Sequence, residues 1–284
     1  MTFLIVVSVL WALSFGLIAQ VSGLGATFVT AARTLLAVLV FLPFVRTRGL
    51  RSREALALAG VGALQFGLMY VLYIGSYRWL HPAEVALFTI FTPLFVTLCN
   101  GLLARRLSWV FLVSAGLAVA GTGICLWTSL DRPGLLWGFL LMQASNACFA
   151  MGQILYRRIA PRTGKADHEL MGILYVGAAV VAVAMALPSV RWDKVAAMTL
   201  GQAGILLYLG AVASGVGFFL FNAGARRTDV GTLAIFNNAK IPLAILASAL
   251  VFHERVDWPR LAAGGAVIAA ALALNGWLVR IKAA

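Results

Sequence analysis

Apolar residues fill this chain in blocks about twenty long, broken by short clusters of Arg, Lys, Pro and Gly. A helix rises 1.5 Å per residue, so about 20 apolar residues cross the roughly 30 Å hydrocarbon layer of a bilayer. Cutting the chain at its charged and Pro/Gly-marked breaks predicts ten such spans. They cover residues 2–20, 28–45, 55–77, 83–103, 109–128, 134–156, 169–188, 200–222, 231–251 and 261–279. Only residues 104–108 separate the fourth from the fifth, which predicts a tight helical hairpin there.

Composition points the same way. The 284 residues are 62% hydrophobic and 11% charged, against roughly 25% charged in soluble domains. One aqueous core cannot hide that much apolar surface, so the expected fold is an all-α integral membrane protein with lipid as part of its solvent. A net charge of +13 would suggest nucleic acid in a soluble chain. Here the basic residues sit in short loops, so no nucleic-acid partner is expected and the charge is read as an orientation signal. With both termini cytoplasmic, the inner loops and C-terminus hold fourteen Arg and Lys against six outside. A multi-pass protein of the cell membrane, a bacterial inner membrane, with both termini inside is the expectation. MTFLIVVSVLWALSFGLIAQ lacks a basic leader, so it is kept as the first span. Cys99, Cys125 and Cys148 all fall in apolar runs without metal-ligand spacing, and read as small buried hydrophobes.

The chain also resembles itself. Shifted by 149 residues, Pro93-Leu94 falls on Pro242-Leu243, and Arg106 and Trp109 fall on Arg255 and Trp258. Upstream, Leu58, Gly75 and Arg78 fall on Leu207, Gly224 and Arg227. Two repeats are predicted, 1–130 and 134–282, each with five spans. An odd span count inverts the second repeat relative to the first. Inverted repeats underlie alternating access, with a substrate site near the midplane between them.

TPLFVTLCNGLLARRLSW and IPLAILASALVFHERVDW each place a Pro-containing helix before a short charged hairpin. Together with WALSFG in span 1 and AARTLLA in span 2, they make the chain resemble the EamA family of the drug/metabolite transporter superfamily. The resemblance covers nearly the whole sequence. It implies ten helices, a central cavity between the halves, and transport of amino acids, amines or related small metabolites. The chain departs from the family pattern in ARRLSW, where Arg stands in place of an acidic residue.

Charged and polar residues inside the spans are the candidates for chemistry, because each is costly there unless it faces a cavity or a partner. Lys240, in FNNAKIPLA, lies about nine residues from either end of its span, roughly 13–15 Å deep and beyond the reach of snorkelling. Asn237 shares its helix face. The two are read as a site for a carboxylate or other anionic group, with a structural lysine satisfied by nearby carbonyls as the rival. Arg33 and Glu84 fall at similar depth toward the outer leaflet and are candidates for a buried ion pair or for proton coupling. The alternative places Glu84 in the headgroup region, at a helix start after Pro82. Tyr70 and Tyr73 head an aromatic stripe on span 3, and Gln143 and Asn146 share a face of span 6 with Gln153. Each stripe would line a cavity or bridge helices. Trp11, Ser14 and Asn222 complete the candidate substrate-binding set. Small-residue runs such as LAAGGAVIAAALALNG suit close helix packing, within one chain or across a homodimer.

The expected function is a secondary transporter that moves a small metabolite, an amino acid or other carboxylate-bearing compound, by alternating access. Alternatives are a channel or lipid-handling protein, or a transporter of amines, drugs or a vitamin. No P-loop, HExxH or GxSxG occurs, so no cofactor and no enzymatic activity are expected.

Overall fold

A computed structural model of the chain describes residues 2–105 and 133–227, with isolated positions between 243 and 277. Spans 5, 9 and 10 of the sequence reading, including Asn237 and Lys240, lie outside the described residues apart from those isolated positions. The described residues are helical, with no strand among them. Among the described residues, seven helices are long and apolar enough to cross a membrane. We number the helices α1 Thr2–Ser22, α2 Ala26–Phe44, α3 Ser52–Ser76, α4 Pro82–Leu103, α5 Leu135–Thr163 and α6 Asp167–Ala186. The short α7, Trp192–Ala196, precedes the long α8, Leu200–Arg226. Hydrocarbon offers the backbone no hydrogen-bond partner, so runs this apolar close their bonds within the helix.

Polar residues set the boundaries. Thr199 caps α8 by accepting from the Gln202 amide at 3.2 Å, and the Gln202 side chain accepts from the Thr199 amide at 3.1 Å. Pro82 opens α4, where the Glu84 carboxylate accepts from the His81 amide at 2.8 Å. These reciprocal contacts satisfy donors that a helix start leaves free. Large apolar side chains such as Leu39, Val180 and Leu200 face outward, where a membrane rather than water matches them.

Two helices contain π-helical stretches, Ala63–Leu68 in α3 and Tyr208–Val216 in α8. Under the 149-residue shift, 63–68 falls on 212–217, so the two distortions overlap in register. Helix α4 instead tightens into a 3-10 turn at Thr89–Phe91, just before Pro93. Pro93 has no N–H for the Thr89 carbonyl, which accepts from the Thr92 hydroxyl at 2.7 Å.

Helices α3 and α6 cross at two glycines. A Cβ on Gly62 would stand 1.8 Å from the Leu174 carbonyl oxygen, and one on Gly177 would stand 1.9 Å from that of Ala59. Only hydrogen fits at either point, so the backbones themselves make the contact. That approach seats the Phe66 ring 5.0 Å from that of Tyr175.

Candidate functional site

The second half of α3 contributes Phe66, Met69, Tyr70 and Tyr73, at the three- and four-residue spacing that puts them on one face. The last three line a cavity with Trp11, Ser14, Phe15 and Ile18 of α1. Arg33 of α2, Thr89 and Thr92 of α4, and Met142, Ser145, Asn146 and Phe149 of α5 complete most of the wall, with Phe218 of α8. The space is ≈ 540 Å³, open mouth included, a size suited to a small molecule. The wall is mostly aromatic and aliphatic, with two polar poles.

Arg33 makes the first pole. It is 2% exposed, and its guanidinium carbon sits 4.0 Å from the centroid of the Tyr70 ring. Nη2 donates to the Tyr70 hydroxyl at 2.9 Å and Nε to Ser214 Oγ at 3.1 Å. Ser214 Oγ itself donates to the Leu209 carbonyl at 2.6 Å, five residues back in the π stretch of α8. Its proton is therefore committed, and the 2.9 Å contact between Tyr70 and Ser214 is donated by the tyrosine. Tyr175 fixes this segment further by donating to the Ser214 carbonyl at 2.5 Å. All of these partners are neutral. Nη1 of Arg33 is buried with no hydrogen-bond partner among the described residues. A buried cation balanced only by hydroxyls and a ring face favours an anion brought from outside.

Asn146 makes the second pole, which carries no formal charge. Its Nδ2 donates to the Phe88 carbonyl at 2.8 Å and to Gln143 Oε1 at 3.3 Å, and its Oδ1 lies 3.3 Å from the Thr92 hydroxyl, whose proton goes chiefly to the Thr89 carbonyl. The 3-10 turn of α4 brings the Phe88 carbonyl and the Thr92 hydroxyl beside α5. Ser145 next to Asn146 donates to the Met69 carbonyl at 3.0 Å and ties α5 to α3.

Trp11, Ser14, Tyr70, Tyr73 and Asn146 of the sequence candidates thus meet around one cavity, and Arg33 joins them. Arg33 and Glu84 are not brought together. Glu84 closes the start of its own helix, and Arg33 points across α3 and α8. Gln143 stands behind Asn146 rather than on the wall. Asn222 lies deeper in α8, where its Oδ1 accepts from Gln65 Nε2 at 3.4 Å. Asn237 and Lys240 lie outside the described residues. Sequence reasoning missed Thr89, Thr92 and Ser145. The TxxTP spacing of α4 carried a signal for the first two, because a proline four residues on frees a carbonyl that a nearby hydroxyl can take. Ser214 gave no signal.

The aromatic wall thickens below the cavity. Trp11 packs 4.6 Å from Phe218 and 5.2 Å from Phe221, and donates from Nε1 to the Ala213 carbonyl at 2.9 Å. Phe149 and Phe66 pack on Phe218 at 5.6 and 4.8 Å. Further toward the 164–166 connection and Arg227, Asp167 Oδ1 accepts from both Arg226 Nη1 and Tyr156 Oη at 2.6 Å. That contact joins α5, α6 and α8 at the basic end of the bundle.

Comparison with known proteins agrees with this architecture. The profile of the EamA-like transporter family matches residues 1–127 and 132–276. The chain belongs to the EamA-like transporter family. This member is a membrane transporter, as its relatives are by name. It is 39% identical over 282 residues to the biotin transporter of Salmonella typhimurium, covering 96% of this chain and 91% of that one. Against the biotin transporter of Escherichia coli K12, identity is 39% over 276 residues with the same coverage. A probable biotin transporter of Pseudomonas aeruginosa is 40% identical over 279 residues, 97% of each chain. One solved crystal structure shares the fold at a TM-score of 0.65 with 21% identity, covering 98% of each chain.

Proposed function

We propose that this EamA transporter carries a carboxylate-bearing vitamin of the biotin type by alternating access between two inverted repeats. The observation that carries this reading is Arg33 Nη1, a guanidinium nitrogen buried at the cavity without a partner among the described residues. A carboxylate bound there completes the hydrogen bonding of the guanidinium and balances its charge. The apolar rings of Tyr70, Tyr73, Phe149 and Phe218 suit a hydrocarbon chain, and the Asn146–Thr92 pole suits a neutral head such as a cyclic urea.

The relatives' names redirect the sequence expectation of an amino acid. Physical chemistry supports the change: an α-ammonium group asks for an anion, and no carboxylate lines the cavity among the described residues. Lys240 stays in the proposal as a second cation for the same carboxylate. The loop charges support termini on the cytoplasmic side.

Uptake of radiolabelled biotin into proteoliposomes tests the reading. Saturable uptake that is accelerated by biotin on the opposite side, and not inhibited by biotin methyl ester, is the expected result. Equal inhibition by the uncharged ester would overturn the role of the carboxylate. Uptake without saturation would favour a channel.

A further inference from the structure

Below the aromatic floor of the cavity lies a layer of amides with poor partners. Gln65 of α3 is fully buried and its Oε1 has no hydrogen-bond partner among the described residues. Gln153 of α5 is 2% exposed, and neither its Oε1 nor its Nε2 has one among them. Asn222 of α8 is 1% exposed; among the described residues its Nδ2 has only the Met171 sulfur at 3.8 Å, and its Oδ1 has Gln65 Nε2 at a long 3.4 Å. The three helices are close here. A Cβ built on Gly152, the residue before Gln153, would stand 2.3 Å from Gln65 Cβ. Amides that only bridge helices find partners, and a buried polar atom without one is unfavourable. Three such atoms in one layer mark a place that is satisfied in another conformation.

The order of side chains along each helix says which conformation. Reading α5 toward the basic end gives Asn146 at the cavity, Phe149 in the floor, Gln153, then Tyr156 at the Asp167 contact. Reading α8 the same way gives Phe218, Phe221, Asn222 and then Arg226 at the same contact. Helix α3 runs oppositely and gives Tyr70, Phe66 and Gln65. The amide layer therefore lies between the floor and the ionic closure on α5 and α8, and beneath the floor residue Phe66 on α3. Gln65 also sits inside the π stretch of α3, and α8 carries its own π stretch just before Phe218. Such stretches have one hydrogen bond out of α register and frequently mark functional sites.

We infer that Gln65, Gln153 and Asn222 form an inner subsite that receives the neutral, urea-like head of the substrate when the bundle opens at its basic end. Water fills it there when substrate is absent. Side-chain amides offer both donors and acceptors, which matches a cyclic urea or carboxamide and not a carboxylate. The inference rests on the biotin-type reading for its ligand, while the position of the site on the path does not.

The test compares Gln65→Leu and Gln153→Leu with wild type, using biotin entry into right-side-out and inside-out membrane vesicles. The expected result is a KM raised about tenfold or more for entry from the basic-end face, with KM from the opposite face within about twofold. The leucine variants are expected to hold or raise the melting temperature, since they remove unpartnered polar atoms. Equal KM shifts from both faces, unchanged KM from both, or a melting temperature lower by several degrees in both variants would each overturn the subsite. Should wild-type vesicles carry no biotin, the substrate reading fails and accessibility decides the rest. Gln153→Cys should then react with a charged thiol reagent applied at the basic-end face, above the labelling of the native cysteines. Absence of that extra labelling overturns the inner site itself.

Discussion

Arg33 meets Tyr70 twice, over the ring at 4.0 Å from its centroid and at the hydroxyl through Nη2 at 2.9 Å. Face and edge together fix the plane of the guanidinium, and Ser214 fixes its Nε. The free Nη1 is thereby presented in one direction rather than sampled among many.

A fixed donor of this kind makes a specific forecast for Arg33→Gln. Removing one partner of a buried charge pair costs about 2–5 kcal/mol, which raises KM for biotin by roughly 30-fold or more. Arg33→Lys keeps the charge but loses the fork, and should fall between the two. Competition with biotin methyl ester is the control. The ester should remain a poor ligand of wild type and compete relatively better in Arg33→Gln. An Arg33→Gln protein with wild-type KM removes Arg33 from the site.

Tyr70→Phe keeps the ring beneath Arg33 and deletes the hydroxyl that accepts from Nη2 and donates to Ser214. One net hydrogen bond is about 0.5–1.5 kcal/mol, so KM should rise roughly 2- to 10-fold with the maximal rate kept. A collapse of the maximal rate at unchanged KM would assign the hydroxyl to the conformational step instead.

These residues were unequally legible in the sequence. The apolar blocks foretold α1 to α6 and α8, because bilayer thickness leaves few other options. Trp11, Ser14, Tyr70, Tyr73 and Asn146 were legible from helical spacing and polarity. The place of Arg33 beside Tyr70 and Ser214 was not: depth alone suggested Glu84, and only the fold shows that carboxylate closing its own helix. Ser214 and Gly62 were hidden for a different reason. A serine or glycine in an apolar run is common in membrane helices, and its importance appears only when another backbone arrives beside it.

Asp167 and Arg226 supply a test of the closed end. Their side chains are 12% and 25% exposed, and Tyr156 shares the same carboxylate oxygen. Contacting charged residues couple by about 0.5–3 kcal/mol in double-mutant cycles. Asp167→Asn, Arg226→Gln and the double variant, compared by thermal unfolding, should show coupling in that range. Additive effects would mean that the contact does not hold α6 and α8 together.

The α3–α6 crossing forecasts a loss of folding. Gly62→Val sets a branched side chain where even a Cβ would stand 1.8 Å from the Leu174 oxygen. The helices must separate, so little folded protein should reach the membrane. Gly60, on the same helix, has nothing within 4 Å of its added Cβ. Gly60→Ala should therefore fold normally and gain up to about 1 kcal/mol in helix propensity. Similar behaviour of the two variants, measured as monodisperse protein after extraction, would count against the close crossing.

Lys240 and Arg33 are the two basic residues that the sequence places within spans. The proposal that both serve one carboxylate predicts that they are not independent. Lys240→Ala should abolish biotin uptake while leaving folded protein in the membrane, and normal uptake kinetics in that variant would refute its role. Biotin binding, followed by thermal shift, then separates shared from separate sites. Residues that hold a common ligand deviate from additivity, whereas distant independent ones add within about 0.3–0.5 kcal/mol. The double variant Arg33→Gln/Lys240→Ala should therefore bind no more weakly than the worse single variant. Fully additive losses would place Lys240 at a different step of transport from the carboxylate held by Arg33.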